Sequence, residues 1–315
     1  MTYTEAAELL RRQDNILILT HRRPDGDTIG CAVGLCAALR ELGKTTWVLP
    51  NADATALFTP YLEGYLAPEG FAPDFVVSVD IASRGLFPDN AKCWLEKGVD
   101  LAIDHHGSNE GFGKENCVDS GRAACGELIY DIIRQWGPVS PAAALPLYLA
   151  VSTDTGCFVY SNTTPDTHRV AAALMDAGID YRSVNKRHFR TKSFKRLRLE
   201  SMITQDMELF DNGAIAIAAV SLDMMKALDA REEDAEDIAA FAGQVEGVET
   251  AITIRELRPG ECKLSVRTAA GLNASAVCAL LGGGGHAAAA GCSVAGSVAD
   301  AKAAILAAIR QVQQS

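Results

Sequence analysis

The chain is poor in aromatic residues, which fill 6% of its 315 positions. Binding a long single strand of nucleic acid needs aromatic platforms in series, so only short ligands of that kind fit this composition. Positive charge is also scarce: 29 Lys and Arg stand against 40 Asp and Glu, a net charge of -11. A grip on long duplex nucleic acid needs many phosphate contacts from Lys and Arg, and this balance argues against it. No apolar run approaches the roughly 18 residues of a membrane span, and Met1-Thr2-Tyr3-Thr4-Glu5 lacks the basic start and apolar core of a secretory leader. No membrane association is expected. The nine cysteines form no Cys-x-x-Cys pair, and Cys31, Cys36, Cys157 and Cys278 lie in apolar surroundings. Reduced core thiols in a cytoplasmic protein are expected, not disulfides or a thiolate zinc site.

What is present is an ordinary globular composition, 48% hydrophobic and 22% charged, at a length that favours two domains. Three apolar runs end in carboxylate or imidazole. Asn15-Ile16-Leu17-Ile18-Leu19-Thr20 leads into His21-Arg22-Arg23-Pro24-Asp25-Gly26-Asp27, Phe75-Val76-Val77-Ser78-Val79 into Asp80, and residues 99–103 into Asp104-His105-His106. After Asp27 the spacing turns helical through Ile29, Val33, Leu35, Leu39 and Leu42, with Gly43 as the stop. Residues 45–49 read as a further strand. Strand, helix, strand alternation with continuous apolar strands implies a parallel sheet with helices on both faces, and ligands sit beyond the carboxyl ends of such strands. His21, Asp25, Asp27, Asp80, Asp104, His105 and His106 all fall at that edge.

Residues 123–175 are mostly helical. Within them Asp154 closes an apolar helix, and Gly156 lets the chain turn back towards the sheet edge. Thr164 and Pro165 mark another helix start. The basic stretch holding Arg187, His188, Arg190, Lys192, Lys195, Arg196 and Arg198 is the best domain boundary. It reads either as a solvated connector or as a basic wall facing an anionic substrate. A smaller unit follows, with strands at 214–220, 249–255 and 261–268, a short helix at 273–281, the run Gly282-Gly283-Gly284-Gly285-His286, and a last helix at 298–312. Four successive glycines are entropically costly; they form either an anion nest with His286 as an added donor, or a flexible helix cap. No Lys-Ser or Lys-Thr follows them, so this is not a Walker loop.

Asp and His donors suit manganese or magnesium better than structural zinc. A carboxylate bridging two metals about 4 Å apart makes a clamp for phosphoryl transfer, and Asp80, alone at a central strand tip, is the natural bridge. The spacing His21-x3-Asp25-x-Asp27 lets one loop serve both ions, although Asp25 and Asp27 also suit a Pro-Asp-Gly turn and helix cap.

Taken together, the His21 to Asp27 motif, Val79-Asp80, Asp104-His105-His106, Ser152-Thr153-Asp154-Thr155-Gly156 and the glycine run with His286 resemble the successive motifs of DHH phosphoesterases that carry a DHHA1 C-terminal domain. The compact plan is similar to the nanoRNase and pAp phosphatase branch. That resemblance implies a DHH domain over residues 1–190 with a parallel sheet, a helical linker at 191–206, and a smaller α/β DHHA1 domain with a mixed sheet at 207–315. It implies two Mn2+, with Mg2+ or Co2+ as substitutes: His21, Asp25 and Asp80 on one, and Asp27, Asp80, His105 and Asp154 on the other. His106 is expected to face the scissile phosphate as acid or stabiliser, with Asp104 orienting an imidazole. Arg267, Gly282, Gly283, Gly284, Gly285 and His286 are expected to hold the terminal phosphate. One departure is that Ala287-Ala288-Ala289-Ala290 stands where relatives often carry polar residues. The implied reaction is hydroxide attack on short oligoribonucleotides or on 3′-phosphoadenosine 5′-phosphate (pAp), giving mononucleotides. The alternatives are a cyclic dinucleotide phosphodiesterase acting on cyclic di-AMP or pApA, and a catalytically silent nucleotide-binding module. A homodimer is compatible with the resemblance.

Overall fold

The structure is a computed structural model that describes residues 1–235, 238–269 and 271–314, and it divides into two compact units, Met1–Thr191 and Lys192–Ser315. In the first unit the elements run α1 (Tyr3–Arg12), β1 (Ile16–Leu19), α2 (Gly26–Glu41), β2 (Thr46–Val48), α3 (Thr59–Leu62), β3 (Phe75–Val79), α4 (Lys92–Lys97), β4 (Leu101–Asp104), β5 (Glu115–Val118), α5 (Cys125–Ile133), α6 (Pro141–Asp154), α7 (Pro165–Asp176) and α8 (Tyr181–Phe189). The five strands form one parallel sheet in the order β2-β1-β3-β4-β5. Strand alternation divides the apolar side chains between two layers. Ile16, Ile18, Val77, Val79, Leu101 and Ile103 join α1, α2, α5 and α6 in the larger core. Leu17, Leu19, Val76 and Ala102 face a thinner layer, where Phe87 meets Phe112 edge to face and Trp94 and Leu95 of α4 pack alongside.

In a sheet of this order the connections leave β1 and β3 in opposite directions, which opens a crevice beyond their carboxyl ends. His21 follows β1 and Asp80 follows β3, so the central polar residues stand at that switch point. Helices α2 and α6 pack antiparallel and very closely there. An added Cβ on Gly26 would lie 2.3 Å from Thr153 Oγ1, one on Gly30 2.2 Å from the Pro146 carbonyl oxygen, and one on Gly34 2.7 Å from Leu147 Cγ. Glycine at every fourth position of α2 is what brings Asp154, at the end of α6, to Asp27, at the start of α2.

The second unit contains α9 (Phe194–Gln205), β6 (Glu208–Phe210), β7 (Ile215–Val220), α10 (Leu222–Ala227), β8 (Thr250–Arg258), β9 (Glu261–Thr268), α11 (Ala274–Ala279), β10 (Gly284–Gly285), β11 (Ala289–Ala295) and α12 (Val298–Gln313). Its sheet runs β10-β11-β9-β8-β7-β6 and is mixed, with β7 and β8 parallel and the other pairs antiparallel. Ile215, Ile217, Ile252, Leu264 and Val266 pack on α11 and α12. Ala216, Ala218 and Val220 pack on the other side with Leu199 and Ile203 of α9, so much of the stretch expected as a linker is part of this core. Three of the basic side chains there are paired within the chain: Lys192 and Arg196 reach Glu200 at 2.8 and 2.7 Å, and Lys195 reaches Asp229 at 2.8 Å. Among the described residues no helix is long and apolar enough to cross a membrane.

Candidate metal centre

Asp80 is the residue on which the site turns. Directly after β3 the backbone enters the left-handed region, φ +58°, which Asp tolerates better than most residues but still at a cost. The turn aims the two carboxylate oxygens at different imidazoles. Oδ2 lies 3.7 Å from His21 Nε2, and Oδ1 lies 3.5 Å from His105 Nε2. Asp80 is buried, and its Oδ1 has no hydrogen-bond partner.

The two histidines are held in one tautomer. His21 Nδ1 lies 3.0 Å from the Arg22 carbonyl and His105 Nδ1 lies 3.1 Å from the Arg122 carbonyl; a carbonyl only accepts, so each Nδ1 carries the proton and each Nε2 is left as a lone pair. His21 Nε2 is 3.4 Å from Asp25 Oδ1, while His105 Nε2 is 3.7 Å from both Asp27 Oδ2 and Asp154 Oδ2. In the neutral rings the Nε2 lone pairs thus face carboxylate oxygens directly. Two ligands about 2.1 Å from a shared ion stand roughly 3.0–3.5 Å apart, so this spacing is what divalent cations would close. The ligand atoms of His21, Asp25 and Asp80 form one tight group and those of Asp27, His105 and Asp154 another, while Asp80 also groups with His105 and His106, whose Nδ1 lies 3.5 Å from Asp80 Oδ1.

Local sequence explains each placement. Asp25 is the N-cap of α2, and its Oδ1 accepts from the Asp27 and Thr28 amides at 3.1 and 3.2 Å while also approaching His21. The cap and the ligand are therefore one side chain. Asp27 is buried at the start of α5, where the Cys125 amide donates to Oδ2 at 2.7 Å and the Gly126 amide to Oδ1 at 3.0 Å. A helix N-terminus holding a carboxylate is favourable. Asp104 is filled by protein donors: Oδ1 accepts from the His105 amide, the His106 amide and His106 Nδ1, and Oδ2 from Asn109 Nδ2. Among the described residues it joins none of the groups of side chains that could hold an ion. His106 Nδ1 is bound to Asp104 at 2.8 Å, which turns its Nε2 outward on a half-exposed ring.

Electrostatics point the same way. Burial, reinforced by the charge of Asp25, raises Asp27 to about 6. Burial and the charge of Asp27 raise Asp154 to about 7, and burial with Asp27 and Asp25 drives Asp80 well above the carboxylate range. Acids so crowded repel until a cation joins them. The hydrogen bond to Asp104, against burial, raises His106 above the ordinary imidazole value.

The glycine run departs from an open nest of amides. Gly282 (φ +75°) and Gly283 end α11 in a Schellman cap, Gly282 N donating to the Ala279 carbonyl and Gly283 N to that of Cys278. His286 N bonds the Ala289 carbonyl. A Cβ on Gly283 would lie 2.2 Å from the Gly291 carbonyl oxygen, and one on Gly285 2.6 Å from that of Ala289, whereas Gly284 faces open space. Exposed Gly284 and the exposed His286 side chain remain available, and Arg267 is also exposed, at the end of β9 opposite Ala289. The residues not foreseen from sequence are the supports: Asn109, the Arg122 carbonyl, the Cys125 and Gly126 amides, and the glycines of α2. Only the fourfold glycine spacing left a visible trace.

The pattern that defines the DHH family, N-terminal domain, matches residues 15–151, and that of the DHHA1 domain matches residues 201–315. A Thermus thermophilus protein named bifunctional oligoribonuclease and PAP phosphatase NrnA is 33% identical over 293 residues, 92% of this chain and 87% of that protein. A Streptococcus mutans protein, named probable bifunctional oligoribonuclease and PAP phosphatase NrnA, is 24% identical over 265 residues, 82% of this chain and 83% of its own. Among solved structures, an exopolyphosphatase-related protein from Bacteroides fragilis has the same fold, with a TM-score of 0.87 at 22% identity over 98% of this chain and 95% of that one.

Proposed function

The chain belongs to the DHH family, with a DHHA1 domain behind its N-terminal domain, and from that premise we propose that it hydrolyses short oligoribonucleotides and pAp to mononucleotides with two divalent cations. The observation that carries this reading is the buried, unpartnered Oδ1 of Asp80, 3.5 Å from His105 Nε2 while Oδ2 lies 3.7 Å from His21 Nε2, so that one carboxylate stands between the two groups of ligands. His21, Asp25 and Asp80 would hold one ion, and Asp27, Asp80, His105 and Asp154 the other. Manganese, with magnesium or cobalt as substitutes, would supply positive charge for the phosphoryl oxygens and hydroxide at neutral pH.

The chain's own residues do the rest. His106, held by Asp104 and raised in basicity, turns Nε2 outward and donates a proton to the leaving oxygen. Asp104 fixes that ring and keeps the proton on Nδ1 when Nε2 has given its own away. In the DHHA1 domain, Arg267, His286 and the backbone at Gly284 take the terminal phosphate, while Gly282, Gly283 and Gly285 shape the loop that presents it.

The test is release of phosphate and mononucleotide, with Mn2+, from a 5′-labelled RNA dimer, a five-nucleotide RNA, pAp, cyclic di-AMP and pyrophosphate, with Asp80→Ala as the control. Preferential turnover of the dimer and pAp that Asp80→Ala abolishes is expected. Turnover of cyclic di-AMP alone would move the protein to the cyclic dinucleotide alternative, and no turnover of any substrate would make it a silent binding module.

A further inference from the structure

We propose that the loop of residues 122–126, anchored by the Arg122 side chain, is the common support of the Asp27, His105 and Asp154 half of the centre, and that Arg122 and Asn162 are positioning residues for that half alone. The inference rests on the two-cation reading of the site.

Three ligands from three different elements converge on this one loop. His105 Nδ1 bonds the Arg122 carbonyl at 3.1 Å. Asp27 takes the Cys125 and Gly126 amides at 2.7 and 3.0 Å. Asn162 Nδ2 links the Ala123 carbonyl, at 3.0 Å, to the Asp154 carbonyl, at 3.1 Å. The other half is organised separately: His21 bonds its own neighbour, the Arg22 carbonyl, and Asp25 caps α2.

The loop is fixed in turn by a charged network behind it. Arg122 Nη2 reaches Asp131 Oδ2 at 2.6 Å, Nη1 reaches Glu127 Oε2 at 3.5 Å, and Nε reaches the Tyr3 hydroxyl at 3.3 Å. Tyr3 donates to Asp119, three residues before the loop, and Glu127 uses its other oxygen to accept from Thr167 Oγ1 at 2.7 Å. Glu127 and Asp131 are both buried on α5. Only a planar fork with several donors meets these partners at once, so lysine keeps the charge and loses the geometry. Losing a group that orients a metal ligand typically weakens the metal about 10- to 100-fold.

The experiment counts bound Mn2+ by electron paramagnetic resonance of the free ion, in two backgrounds. Asp25→Asn leaves the Asp27, His105 and Asp154 half, because Asn still caps a helix; Asp154→Asn leaves the His21 and Asp25 half. Into each background Arg122→Lys and Asn162→Ala are introduced separately, with folding checked by circular dichroism. In the Asp25→Asn background each is expected to weaken the remaining Mn2+ about 10- to 100-fold, and in the Asp154→Asn background less than about threefold. Should Arg122→Lys not fold, Asn162→Ala decides. Equal weakening in both backgrounds, or none in either, overturns the inference while leaving the two-cation reading intact. Absence of bound Mn2+ in the unaltered protein overturns both.

Discussion

Freed of metal, the protein should lose stability as pH rises from about 5 to about 8. The perturbation is ionisation of a carboxylate cluster that the fold has already crowded together. Asp27 moves from 3.8 in the unfolded chain to about 6, driven by burial and by Asp25, and that distance corresponds to roughly 3 kcal/mol. Asp154, raised to about 7, answers to the same charges, so it belongs to the same repulsion and is not a separate sum. Both groups are raised on folding, so their contribution is full below the unfolded value near 3.8 and is lost as pH climbs through about 6 and about 7. Between pH 5 and pH 8 only the interval from 5 to about 6 counts, because the unfolded Asp27 has already ionised by pH 5; that leaves about 1.4 kcal/mol, a drop of roughly 3–6 °C in Tm for a domain of this size. Differential scanning calorimetry of metal-free protein at the two pH values measures it, with Asp27→Asn/Asp154→Asn, which cannot ionise there, as the reference that should fall less, since Asp80 and His106 still titrate. Added Mn2+ should restore the loss, and should stabilise more at pH 8 than at pH 5 because it displaces protons. A metal-free Tm that holds or rises, or a double variant that falls as far, would refute the reasoning.

Asp104→Asn removes the partner that raises His106; because a proton donor works only below its own pKa, the basic limb of the kcat profile should move to lower pH, and an unmoved limb would deny His106 that role. Gly30→Ala sets a methyl 2.2 Å from the Pro146 carbonyl oxygen and should cost at least about 2 kcal/mol in urea unfolding; an unchanged midpoint would mean that α2 and α6 separate freely. Gly284→Ala should leave Tm within about 1 °C yet raise the KM for pAp, whereas Gly283→Ala, aimed at the Gly291 carbonyl, should lower Tm by several degrees; the reverse order would place phosphate binding elsewhere in the loop.

Much of this was readable from the sequence, for a physical reason. An apolar strand that stops at Asp80 or at Asp104 announces a sheet edge, because a buried run cannot continue through a charge, and the order of such strands implies the parallel sheet. What lay beyond reading was the pairing of distant parts. Nothing local to Asp27 says that its oxygens will meet amides 98 and 99 residues away. Strand β5 leaves no pattern because it is short and largely exposed, and α3 and α4 leave none because four and six residues give no period to detect. The glycine run, one feature in the sequence, is several in the structure: a cap at Gly282, close approaches at Gly283 and Gly285, and an open position at Gly284.

The glycine stripe on α2 also bears on the order of events in folding. Asp27 and Asp154 meet only after two helices from opposite ends of the domain have docked face to face, and the long loop this closes must be ordered before any return is felt. A cation therefore finds no complete pocket in a chain still searching. Metal should leave the refolding rate almost untouched and act on the unfolding rate alone, as a latch that closes behind a finished structure.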